Sequence, residues 1–97
     1  VTSDEAVIRV QTAIEAENYL VRDHCEERMS LRGMFWPDIL SVVENATGVR
    51  TDGADEHGRE RWFFKGMTTA RSEVEVLCLF ENDGSDTVIF WTIYWDK

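Results

Sequence analysis

The hydrophobic pattern changes period near residue 48, and that change limits the fold more than any other feature of the chain. Before it, apolar residues recur three and four apart: Ala6, Val7, Val10, Ala13 and Ile14, then Ile39, Leu40, Val42 and Val43. That spacing gathers each set on one side of a helix. After it come residues 59–67, 73–80 and 87–95, runs rich in Phe, Trp, Val and Ile that alternate or turn wholly apolar, as strands do. Asn82-Asp83-Gly84-Ser85 separates the last two runs as a hairpin turn. Helices followed by an antiparallel meander predict an α+β domain, with N-terminal helices packed on one face of an antiparallel β-sheet.

Local signals place the elements. Thr2 and Glu5 form a capping box ahead of a helix near 3–17. Residues 18–22 read as a short strand, and Asp23 as the N-cap of a second helix that Gly33 ends. Pro37 suits the first turn of a third helix, closed by Ala46-Thr47-Gly48. Residues 49–52 read as a short strand and 53–58 as a turn. No repeat or linker interrupts the 97 residues, so a single domain over 1–97 is expected. No apolar run approaches the ~18 residues of a membrane span. No basic flank precedes an apolar stretch as in a signal peptide. Cys25 and Cys78 fall in helix and strand patterns and read as buried, reduced thiols of a cytoplasmic protein.

Charge restricts the function. With 19 Asp and Glu against 10 Lys and Arg, the formal charge is −9. Repulsion from phosphates opposes broad nucleic-acid binding, so any RNA contact must be local. His24, Arg28 and Arg32 are each four apart and form one cationic stripe on the second helix. Three readings stay open for it: arginines paired with neighbouring acids, a His24 acid or base with arginines gripping a phosphodiester, or a docking stripe for an acidic partner. Arg59 and Arg61 share a strand face beside the loop holding His57; the alternative is cross-strand pairing with Glu73 and Glu75. Thr92 and Tyr94 share a face of the last strand, and Trp91 and Trp95 read as core on the other. The two His and two Cys show no paired ligand spacing, so neither a metal nor another cofactor is expected.

The pattern His24-x3-Arg28-Met29-x2-Arg32-Gly33-Met34, then Asp38-Ile39-Leu40, then Thr92-x-Tyr94 in a closing apolar strand, resembles a bacterial family of small domains related to the BrnT, MqsR and RelE toxins. The resemblance runs from about Tyr19 to Trp95. It implies a RelE-like fold, with helices on a curved antiparallel sheet. It implies the toxin of a type II toxin–antitoxin pair: a metal-independent endoribonuclease acting on mRNA, partnered by a cognate antitoxin. Carried over by position, His24, Arg28 and Tyr94 are its catalytic candidates and Arg32 and Thr92 its RNA or phosphate contacts; Arg59 and Arg61 join those contacts because such folds often carry basic residues on the sheet there, though no motif fixes them. RelE-like toxins are typically basic, and a charge of −9 departs from that. The alternative is a non-catalytic interaction module of the same fold that binds an antitoxin-like or other partner, marked by an apolar patch around Phe35, Trp36 and the sheet edge.

Overall fold

The computed structural model describes residues 2–95 and has three helices and five strands. In chain order these are α1 (Ser3–Glu15), β1 (Tyr19–Val21), α2 (Asp23–Leu31), α3 (Trp36–Glu44), β2 (Gly48–Ala54), β3 (Glu60–Met67), β4 (Glu73–Phe80) and β5 (Val88–Trp95). The strands form one sheet in the order β1-β5-β4-β3-β2. The α+β class is as expected, and β2 to β5 form the antiparallel meander. The sheet as a whole is mixed, because β1 joins β5 in parallel, Tyr19 opposite Val88 and Val21 opposite Phe90.

The helices cover one face. Ala6, Val10 and Ala13 of α1, Cys25 of α2 and Ile39, Val42 and Val43 of α3 are buried against Phe64, Val76, Cys78, Phe80, Phe90 and Ile93 of the sheet. Tyr19 stacks on Trp36 at 5.0 Å between centroids, and both meet Phe90 edge-on at 5.8 and 5.2 Å. This trio ties β1, α3 and β5 together through large apolar area in favourable ring geometry. Gly66 lets α3 approach β3: a Cβ there would lie 2.9 Å from the Val42 carbonyl oxygen.

The capping box on α1 forms as read, Thr2 N donating to Glu5 Oε1 and Glu5 N to Thr2 Oγ1. That helix stops at Glu15 rather than 17, because Glu17 turns to φ +55. Asn18 N then bonds Ala13 O, and Glu17 N bonds Ile14 O. Gly33, at φ +65, ends α2 with the equivalent bonds, Met34 N to Met29 O and Gly33 N to Ser30 O. These paired bonds satisfy carbonyls that a helix end otherwise leaves open. The cap of α2 falls on Arg22, one residue before the expected Asp23. Arg22 N bonds Phe90 O as a last rung of β1, while Arg22 O accepts from Glu26 N. Strand thus passes into helix through the single residue Arg22.

Candidate functional site

Among the described residues no helix packs on the opposite sheet face. Phe63, Leu77, Leu79 and Ile89 form a second apolar cluster there, with Trp91 packed against it. A bulge in β5 decides what this face presents. Cys78 pairs with Phe90 but Leu77 pairs with Thr92, so Trp91 is the extra residue. A bulge breaks strand alternation. Trp91 therefore lies on the open face with Thr92 and Tyr94, and Trp95 packs on the helix-side core. The expectation that Trp91 and Trp95 share a face assumed unbroken alternation, and the bulge corrects it.

Arginines sit over the aromatic rings of this face. Arg22 and Arg59 lie over Trp91, at 4.5 and 5.4 Å from the ring centre. Arg50 and Arg61 lie over Phe63, at 4.0 and 5.5 Å. Such cation–π contacts hold guanidinium groups in place with their donors still available. Acids restrain three of the four: Arg59 Nε bonds Asp55 Oδ2 at 2.9 Å, Arg61 Nη1 lies 3.3 Å from Asp52 Oδ2, and Arg50 Nη2 lies 3.1 Å from Glu75 Oε1. The expected cross-strand pairing of Arg59 and Arg61 with Glu73 and Glu75 does not form. The register sets Arg61 opposite Leu79, with Arg59 ahead of the ladder, while Glu75 pairs with Arg50 and Glu73 with Lys65.

Asp55 builds the loop that carries His57. Its Oδ1 accepts the backbone N–H of His57 and of Arg59, both at 2.9 Å. Burial pushes this carboxyl up, but hydrogen bonds from Arg59 N, His57 N and the Arg59 side chain, with the Arg59 charge, hold it below its ordinary value. From the next hairpin Asn82 Nδ2 donates to Gly58 O at 3.1 Å. The imidazole itself stays exposed, with Nε2 3.6 Å from Glu56 Oε1. The result is a concavity of about 430 Å³ bordered by His57, Arg59, Arg61, Trp91 and Tyr94 over a floor of Leu77 and Leu79. Tyr94 is 40% exposed, its ring 6.3 Å from Phe63.

The anticipated site residues fall into two groups. Arg59, Arg61 and Tyr94 border this concavity. Thr92 lies beneath the face at 4% exposure, its hydroxyl without a hydrogen-bond partner among the described residues. Arg28 and Arg32 meet on Trp95, at 5.9 and 4.4 Å from its ring centre. Arg28 Nε also donates to Ile93 O at 3.0 Å, beyond the point where β1 stops covering the β5 edge. His24 is exposed in the first turn of α2. Tyr94 and Trp95 are consecutive strand residues and point to opposite faces, so the two groups do not converge. Sequence reading placed Trp91 in the core, passed over the Arg22 side chain, and gave His57 no role of its own; the bulge and the strand-to-helix junction carry no motif.

Among the described residues no three His, Cys, Asp or Glu side chains cluster as metal ligands, and no helix is long and apolar enough to cross a membrane. Burial, reinforced by Glu26, pushes the Cys25 thiol up to about 11, and burial with Cys25 nearby raises Cys78 well above its ordinary value. Both are poor nucleophiles at neutral pH. Comparison with family models, curated proteins and solved structures gives no match. The functional reading therefore rests on side-chain geometry.

Proposed function

We propose that this protein is a metal-independent endoribonuclease of the type II toxin kind, acting on mRNA from the open sheet face. One observation carries the reading: an imidazole, two guanidinium groups and a phenol border a single concavity. Cleavage by the RNA's own 2′-hydroxyl needs a base for that hydroxyl, cations for the charge on the phosphorane, and an acid for the departing 5′-oxygen. His57 suits the first role, Arg59 and Arg61 the second, and Tyr94 the third. In this reading the cytoplasm is the site of action and a cognate antitoxin the natural partner, and His24 with Arg28 is the competing catalytic pair.

The second reading is a non-catalytic interaction module. It draws support from the carboxylates already paired with Arg50, Arg59 and Arg61, and from Leu31 and Phe35, 83% and 72% exposed at the end of α2. Trp36 contributes little to that patch, because its ring stacks on Tyr19.

A fluorophore–quencher RNA incubated with purified protein in chelator tests the two. Cleavage that falls at least ~100-fold in His57→Ala, and only a few-fold in His24→Ala, supports the sheet-face ribonuclease. Loss in His24→Ala alone returns the chemistry to α2. No cleavage by folded wild type, on RNAs of varied sequence, leaves the interaction module.

A further inference from the structure

A second concavity of about 550 Å³ adjoins the first, and the two have His57, Arg59 and Trp91 in common. Their other walls differ. The first adds an apolar floor of Leu77 and Leu79 and the Tyr94 ring, rimmed by the charged Asp55, Glu56 and Arg61. The second adds Arg22, Glu81 and Asn82, a lining of hydrogen-bonding groups. We propose that this face holds one dinucleotide step of single-stranded RNA, with a nucleoside in each concavity and the bridging phosphate at Arg59 and His57 between them. The proposal rests on the RNA-directed reading above and adds the size and placement of what is bound.

Three features favour this occupant. Nucleobases stack on aromatic rings and on guanidinium planes, and the first concavity has both, in the half-exposed Tyr94 ring and in the Arg59 guanidinium that lies over Trp91. Arg59 is held by Asp55 through Nε, which leaves its terminal nitrogens over Trp91 for an anion. Arg22 has no carboxylate partner among the described residues and is positioned by Trp91 alone. Asp55, Glu56 and Glu81 border the same space, so the face neutralises one or two phosphates and no more. A long cationic track, which extended RNA would use, is not built here. A short step gripped by stacking is what the charges permit.

The test measures affinity for 2′-O-methyl oligonucleotides of one, two, four and six residues, which bind but cannot be cleaved, at two salt concentrations. The expected result is a gain of at least ~10-fold from one residue to two and under ~3-fold from four to six. The slope of log K on log salt is expected between about −0.7 and −1.4, for one or two phosphates. Trp91→Leu is expected to weaken dinucleotide binding at least ~5-fold, while Trp91→Phe keeps most of it. Glu44→Gln, at the exposed last residue of α3, is the neutral control. Equal affinity for one and six residues, no binding at millimolar concentration, or an undiminished Trp91→Leu would overturn the proposal. So would tight binding of an acidic peptide with none of the oligonucleotides. Binding with the expected length step but no cleavage of the matching RNA supports the dinucleotide site and removes the ribonuclease. Cleavage without the length step removes the dinucleotide site alone.

Discussion

Arg28 and Arg32 sit on Trp95 on one side of β5, and Arg22 and Arg59 sit on Trp91 on the other. The first pair comes from a single helix and is visible in sequence as a regular stripe. The second is drawn from a strand-to-helix junction and a loop 37 residues apart (59 − 22). Their uses also differ. Arg28 spends a donor on the Ile93 carbonyl, which β1 is too short to cover. Arg59 leans on Asp55 and faces a concavity. Regular spacing thus marks a group that braces the sheet edge, while the scattered group gathers around a concavity.

The largest expected effect separates bracing from binding. Arg28→Ala removes a charge-assisted bond to a strand-edge carbonyl and is expected to cost about 2 kcal/mol. Thermal unfolding would then fall by roughly 10 °C for a chain of this size. Arg61→Gln, which breaks a half-exposed pair with Asp52, is expected to cost under about 1 kcal/mol. Equal losses in the two variants would erase the distinction between the faces.

A slightly smaller effect tests the helix-side frame. Asp38 accepts from Phe35 N at 2.9 Å, from Thr69 N at 3.0 Å and from the Thr69 hydroxyl, pinning the start of α3 to the β3–β4 turn. The bond from Phe35 N, then those from the Thr69 side chain and backbone, hold its carboxyl below the ordinary value against the opposing effect of burial. A depressed folded value means the contribution is complete above the unfolded value of about 3.9 and is lost as pH falls through the folded one. Asp38→Asn is expected to cost about 1.5 kcal/mol at pH 7, with the gap to wild type closing below about pH 4 in denaturant titrations. A gap independent of pH would mean that the charge plays no part.

The third prediction sharpens the open face. Thr92 buries a hydroxyl with no partner among the described residues, so Thr92→Val is expected to stabilise by about 1 kcal/mol without changing oligonucleotide affinity. Weaker binding in that variant would make the hydroxyl a ligand contact. The smallest effect compares the two helix ends. Glu17 adopts a left-handed backbone that Gly33 reaches freely, so Glu17→Gly is expected to gain about 0.5 kcal/mol in chemical denaturation.

The same pair of helix ends shows how far the chain could be read from residues alone. Gly33 announces its turn because glycine is the residue that left-handed backbone favours, whereas Glu17 makes the same turn with no such mark. Asp38 stood in a quoted motif, yet its partner Thr69 lies 31 positions on and was invisible. Arg59 with Arg61 and Thr92 with Tyr94 were read as two separate pairs, each on its own strand, and only the sheet register brings Arg59, Arg61 and Tyr94 to one concavity. Trp91 was assigned to the wrong one, since alternation predicts faces only until a bulge interrupts it.

Sequence alone determined the helices-then-meander order, the capping box on α1, the turn at Gly33 and an α+β domain, because each depends on residues a few positions apart. Tertiary structure decided that β1 pairs in parallel with β5, that Trp91 joins Tyr94, and that Arg22, His57 and Arg59 meet around one ring. Those outcomes depend on register and on contacts between distant segments, and no local pattern of side chains encodes them.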